Sequence, residues 1–157
     1  WMENYFNVRR QMPHVVIGEK NWLESRPVGR NLLRVCRGDL REEAMMKVFA
    51  AKCSGNEIVV SVEEGVELGE FECVVEDEEA FIQRMEGEKW HHVTFVSQAS
   101  VSDEVYRAVC GKKLYIDRRA VAFDGFVDMM AQFRVQSMTV VTHHAGDDCY
   151  EELRSRS

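Results

Sequence analysis

The sequence is short of the residues that build special chemistry. Proline occurs twice and glycine ten times in 157 residues, which excludes collagen-like and proline-rich linker chains. The five cysteines (Cys36, Cys53, Cys73, Cys110 and Cys149) are odd in number and far apart, and no CxxC occurs. A secreted disulfide framework is therefore not expected, and reduced thiols in the cytosol or nucleus are. Positive charge is in deficit: 20 Lys and Arg stand against 27 Asp and Glu, a net charge of −7. Such a chain does not coat DNA or RNA by charge alone. No apolar run approaches the roughly 18–20 residues of a membrane span, and no signal-like segment opens the chain. Glycine-rich phosphate loops, GxSxG and paired-carboxylate motifs are missing as well.

What is present is an ordinary globular mix, 45% hydrophobic and 30% charged, long enough to bury a core without metal or disulfides. The ends, Trp1-Met2 and Arg-Ser-Arg-Ser, lead to the expectation of a piece excised from a longer protein, or of tag residues in front. Residues 1–30 read as an N-terminal extension packing on the domain, with Val15-Val16-Ile17 as a short strand and Trp22 as an anchor. Residues 31–146 read as the domain and 147–157 as a polar tail.

Within the domain, Asn31–Arg37 and Ile58–Val62 have strand character. Between them, Met45, Val48, Phe49 and Lys52 fall at helical spacing behind a capping-type Asp39. Residues 63–88 carry eleven acidic side chains (Glu63, Glu64, Glu67, Glu70, Glu72, Glu76, Asp77, Glu78, Glu79, Glu86 and Glu88) and read as an acidic insertion, either solvated or partner-binding, in which Phe71, Cys73 and Val75 alternate as in a strand and Ala80, Ile82 and Met85 suggest a short helix. Order then returns: a strand at His92–Val96, and a helix lined by Val105, Tyr106 and Val109 and ended by Gly111. A strand at Leu114–Ile116 and a helical stripe of Phe123, Phe126, Val127, Met130 and Phe133 follow. Strands alternating with helices predict an α/β fold with a central four-stranded parallel sheet and about three helices.

The order and spacing over residues 31–135 resemble a BRCT domain, the phosphopeptide-binding or scaffolding module of chromosome and DNA-damage proteins. The resemblance rests on Leu32–Gly38, Glu42–Cys53 with Gly55, His92–Val96, Ser102–Cys110 with Gly111, Lys113–Asp117 and Phe123–Phe133. The chain as a whole is similar to a divergent BRCT domain of a kinetoplastid kinetochore protein. It departs from the family in the roughly 30 residues between its second and third strands, and in lacking a tryptophan in the last helix.

The resemblance implies a non-enzymatic interaction module of a nuclear or chromosomal protein, without a cofactor. Its expected partner is a phosphorylated protein or peptide, with chromosomal proteins in the same class and direct nucleic-acid binding less expected. Where the family grips phosphate with a hydroxyl, this chain has Arg37 followed by Gly38, and the family's lysine position falls near Glu104. An anion site is then built from Arg37, Gly38, Ser100 and Ser102, with Arg41, Lys112 and Lys113 as supporting cations.

Two alternatives stay open: a scaffold without phosphate binding, and a small enzyme using Cys36 or Cys110. No catalytic residue and no metal site is assigned, since His91-His92 and His143-His144 are adjacent pairs that point to opposite sides of a strand. The arginines at 26, 30, 34, 37 and 41 form one basic run, and Lys112-Lys113 with Arg118-Arg119 a second. If Leu33, Val35, Val48, Phe95, Phe126 and Val127 share one core, Phe126→Ala costs about 3–5 kcal/mol. Denaturant unfolding reads that number.

Overall fold

The computed structural model of the protein describes residues 10–11, 19–97, 101–112 and 114–141. They fall into two compact units. One holds a three-stranded sheet of β1 (Arg10–Gln11), β2 (Glu19–Pro27) and β8 (Phe133–Val141), in the order β1-β2-β8. β1 runs antiparallel to β2, with Arg10 opposite Leu23. Thr139 and Asn21 join their side chains by a hydrogen bond.

The other unit, Pro27–Phe133, is an alternating α/β structure. Its elements are β3 (Arg30–Val35), α1 (Arg41–Cys53), β4 (Glu57–Val62), β5 (Val74–Val75), α2 (Glu78–Gly87), β6 (His92–Phe95), α3 (Asp103–Cys110), β7 (Tyr115–Asp117) and α4 (Gly125–Met130). The sheet has five strands in the order β5-β4-β3-β6-β7, and every pairing is parallel.

Parallel strands at the middle of such a sheet are covered on both faces, so they read as continuous apolar runs. β3 follows the rule: every residue from Asn31 to Val35 is buried. Alternation of side chains then feeds two cores. Leu32 joins Phe81, Met85, Trp90, Val93, Phe95, Val105 and Val109 in one. Leu33 and Val35 join Ala44, Val48, Val60, Val62, Leu68 and Val96 in the other. α2 packs beside α3, and α1 beside α4.

Near the amino ends of the strands, polar groups are closed by a clasp. Gly29 N–H donates to Asn56 Oδ1 at 2.7 Å, and Asn56 Nδ2 donates to the Gln132 carbonyl at 2.9 Å. Val28 N–H reaches the same carbonyl at 3.0 Å, and Asn31 Nδ2 reaches Gln132 Oε1 at 3.0 Å.

The α/β class and the strand–helix alternation are as the sequence predicts, but several expectations change. The sheet has five strands, not four, and four helices are found among the described residues. The segment 63–88 supplies β5 and α2, where a strand and a short helix are expected, and it is more than solvated surface, since it buries Leu68, Phe81 and Met85. Its acidic residues conceal three apolar anchors, two of them one helical turn apart. The compact unit begins at Pro27 rather than at residue 31, and residues 134–141 belong with the three-stranded sheet. α1 begins at Arg41 behind Leu40, which makes no side-chain cap; Asp39 is engaged elsewhere.

The Phe123–Phe133 stripe is also corrected. Asp124 caps α4 by accepting from the N–H groups of Phe126 and Val127, so the helix starts only at Gly125 and spans six residues. Phe123 is left outside it, Val127 is 50% exposed, Phe126 is half-buried, and only Met129 is buried. The expected strand at 15–17, Ser100, Lys113 and the 147–157 tail lie outside the described residues. No helix among the described residues is long and apolar enough to cross a membrane.

The helices carrying Phe81 and Phe126 are therefore exchanged in importance. Phe81→Ala, at a fully buried site, should cost about 3–5 kcal/mol. Val127→Ala should stay within about 0.5 kcal/mol, as exposed substitutions do. Urea midpoints of the two variants check this; a larger loss for Val127→Ala would reverse the assignment of faces.

Candidate functional site

The strand order reverses between β3 and β6. From β3 the chain crosses to β4 on one side; from β6 it crosses to β7 on the other. The loops leaving the carboxyl ends of these two neighbours diverge, and a crevice opens where open α/β sheets hold their ligands. Here it is a cleft of about 450 Å³ lined by residues 36–39, Glu63, Glu78, Ser97, Val101 and Ser102.

Arg37, Gly38 and Ser102 thus meet at one place. Ser100 lies outside the described residues. Glu104 is exposed on the first turn of α3 and does not line the cleft. The supporting cations are elsewhere: Arg41 is exposed at the start of α1, and Lys112 donates to the Glu86 carbonyl at 2.8 Å beyond the end of α3. The two basic runs do not form one face. Arg26 pairs with Glu24, and Arg30 pairs with Glu57 and Glu88 and lies over Trp90. Arg34 is buried, Arg118 lies over Tyr106, and Arg119 pairs with Asp117.

The turn after β3 is closed by its own acids. Asp39 N–H donates to the Cys36 carbonyl at 3.2 Å. Gly38 sits at φ +92, a left-handed conformation that side chains rarely adopt. Cys36 N–H donates to Asp39 Oδ2 at 2.8 Å, and Arg37 N–H to Glu63 Oε2 at 2.8 Å. A phosphate at a switch point is held by such N–H groups; in this chain two carboxylates already hold them. The start of α3 is likewise occupied: Ser102 Oγ accepts from Val105 N–H at 3.2 Å and donates to Glu78 Oε1 at 2.7 Å.

Beneath the turn lies Arg34, 2% exposed. Its Nη1 donates to Ser61 Oγ at 2.7 Å and to the Glu76 carbonyl at 3.0 Å. Its plane stands over Phe81 at 5.2 Å. Nη2 is buried without a hydrogen bond, with Glu63 Oε1 at 3.7 Å as its ion-pair partner. Arg34, Arg37, Glu63, Glu64, Glu76, Asp77 and Glu78 border a second cleft of about 720 Å³ that adjoins the first. Sequence reasoning counted Arg34 only as part of a basic run. The signal was its place inside Leu32-Leu33-Arg34-Val35, an arginine in a strand buried on both faces.

Cys36 is unsuited to nucleophilic work. Burial, reinforced by Glu63, pushes its thiol up to about 11, so little thiolate exists near neutrality. Cys110 is exposed at the end of α3. Elsewhere, Lys47 is buried and donates to the Arg119 carbonyl at 2.7 Å; burial lowers its pKa. Burial also works against the charge on Asp117, but bonds from Arg119 outweigh it and hold the carboxyl below its usual range. These groups border a cavity of only about 50 Å³. No group of three or more His, Cys, Asp or Glu placed to hold a metal occurs among the described residues.

No family model matches the sequence. No curated protein matches it significantly either. Solved structures do resemble it in fold. Proline utilization A from Corynebacterium freiburgense superimposes with a TM-score of 0.59 at 17% identity, over 91% of this chain and 12% of that one. Succinate-semialdehyde dehydrogenase from Burkholderia pseudomallei gives 0.55 at 16% identity, over 71% of this chain and 27% of the enzyme. A betaine aldehyde dehydrogenase double mutant from Staphylococcus aureus, in complex with NAD+, gives 0.57 at 10% identity, over 73% and 26%. The chain therefore spans less than a third of each of these proteins, and what it shares with them is fold.

The raised Cys36 pKa has a measurable consequence. A thiol whose folded pKa lies above its unfolded value keeps its stabilising contribution below the ordinary value of 9.0 and loses it as pH climbs toward about 11. Near pH 8.5, iodoacetamide should modify the exposed Cys53 and Cys110 well before Cys36. Peptide mass spectrometry against time checks the order; Cys36 reacting first would restore the nucleophile reading.

Proposed function

We propose that this chain is a non-enzymatic protein-interaction module that does not bind phosphate at its switch point. One observation carries the reading: the N–H groups of Cys36 and Arg37 donate to Asp39 and Glu63 at 2.8 Å. A phosphoryl group entering there would have to displace two carboxylates and sit beside them, adding like charge at close range. The same objection applies to a dinucleotide, although a protein of similar fold holds NAD+. A turnover role for Cys36 is opposed by its protonated thiol.

The BRCT resemblance is retained within this proposal at the level of element positions. Strands at 30–35, 92–95 and 115–117 and helices at 41–53, 103–110 and 125–130 overlap the segments on which it rests. β5 and α2 are then one added β–α unit, which accounts for the long connection between the second and third strands.

A second reading, a phosphopeptide held near Arg37, is favoured by the meeting of Arg37, Gly38 and Ser102 in one cleft. Calorimetric titration separates the two. NAD+ and a phosphoserine peptide should show no binding stronger than about millimolar, and Arg37→Ala should change nothing. Phosphopeptide binding tighter than that of the unphosphorylated twin, and weakened about tenfold or more by Arg37→Ala, would replace the first reading by the second.

A further inference from the structure

We propose that the cleft floored by Arg34 docks a basic peptide segment. Its Lys or Arg side chains would lie on Glu64, Asp77 and Glu78, and a main-chain carbonyl would accept from Arg34 Nη2. The inference rests on the reading of the chain as an interaction module and names the chemistry of the partner.

The first observation is the orphaned donor. A guanidinium carries five N–H groups and accepts nothing. Arg34 has a side chain 3% exposed, and its Nη2 makes no hydrogen bond, since Glu63 Oε1 at 3.7 Å is beyond bonding distance. Buried polar groups without partners are rare and costly. Nη1 is already committed to Ser61 and the Glu76 carbonyl. The cleft of about 720 Å³ that Arg34 borders is where a further acceptor can enter.

The second observation is the charge around that opening. Glu64, Asp77 and Glu78 line it and form no ion pair among the described residues. Glu76, which also lines it, is neutralised by Arg84 at 2.9 Å. Arg37 also borders the cleft, with its Nε on the Glu64 carbonyl at 2.9 Å, but the carboxylates there outnumber the cations, and on the floor Arg34 Nη2 lacks a hydrogen-bond acceptor. An anion satisfies Arg34 but meets the carboxylates; a bare polyamine satisfies the carboxylates but leaves Arg34 unpaired. A peptide with basic side chains supplies both, through charge on its side chains and carbonyls on its backbone.

The test uses the full chain and a fluorescein-labelled tetra-arginine peptide, acetylated and amidated at its ends, read by anisotropy at physiological ionic strength. Spermine, which carries comparable charge and no carbonyl, serves as competitor. The triple variant Glu64→Gln, Asp77→Asn, Glu78→Gln keeps the cap of α2, because asparagine caps as well as aspartate. It should weaken peptide binding about tenfold or more. The control triple Glu67→Gln, Glu70→Gln, Glu72→Gln removes the same charge from exposed positions of the same stretch and should weaken binding less than about twofold. An unlabelled copy of the peptide should displace the label about tenfold better than spermine.

Equal losses in both triples, equal potency of spermine, or no binding at all would overturn the proposal. Any of these leaves the interaction-module reading standing so long as NAD+ and the phosphoserine peptide also fail to bind. Phosphopeptide binding sensitive to Arg37→Ala would instead sink the phosphate-free reading, whatever the arginine peptide does.

Discussion

Everything in the α/β unit depends on one constraint: β3 is buried on both faces from Asn31 to Val35. A strand so placed must find a partner for each polar group it carries, because water cannot reach it. Its backbone is satisfied by β4 on one side and β6 on the other. Its apolar side chains divide between two cores, and its two polar side chains are handled separately. Asn31 is bonded to Gln132, and Arg34 to Ser61 and the Glu76 carbonyl. The first sits toward the amino end of the strand, the second toward the carboxyl end. Each keeps one buried atom without a hydrogen bond, Asn31 Oδ1 and Arg34 Nη2, and the second lies beside the crevice.

The same strand sets the chemistry of that crevice. In an open parallel sheet the carboxyl ends of the central pair gather free N–H groups, which makes the position attractive to anions. This chain answers the attraction internally. Asp39 folds back within the turn, and Glu63 reaches across from the end of β4. The fold is shared with proline utilization A and two dehydrogenase structures at 10–17% identity. The electrostatics of the turn belong to this sequence, and function follows such local features more closely than it follows architecture.

Much of the fold was legible because periodicity carried it. Leu33, Val35, Val48 and Phe95 were expected in one core; all four are buried, but Phe95 lies in the opposite core from the other three. That Arg37, Gly38 and Ser102 line one cleft is in keeping with what the BRCT resemblance implied for the end of the first strand. Three features were not legible, each for a physical reason. A short helix at Ala80, Ile82 and Met85 was expected in the acidic stretch, but its burial through Phe81 was disguised by the surrounding carboxylates. The phenylalanine-rich stripe promised a longer helix, but the cap at Asp124 shortens it and turns Val127 outward. The part of Glu63 in the turn was unreadable because it follows a different strand, 26 residues away from the N–H it accepts.

The clasp around Gln132 bears on when the unit can form during synthesis. Gln132 bonds Asn31 across 101 residues and Asn56 across 76, and its carbonyl also receives the N–H of Val28. Until the chain has been made past α4, these groups at the opening of the unit have no partner, although β3, α1 and β4 are all present. Closing so long a loop is paid in entropy before any bond is gained. A nascent chain ending short of residue 132 therefore holds a sheet whose first strand is buried but not yet locked. The last few residues of the unit act on its beginning.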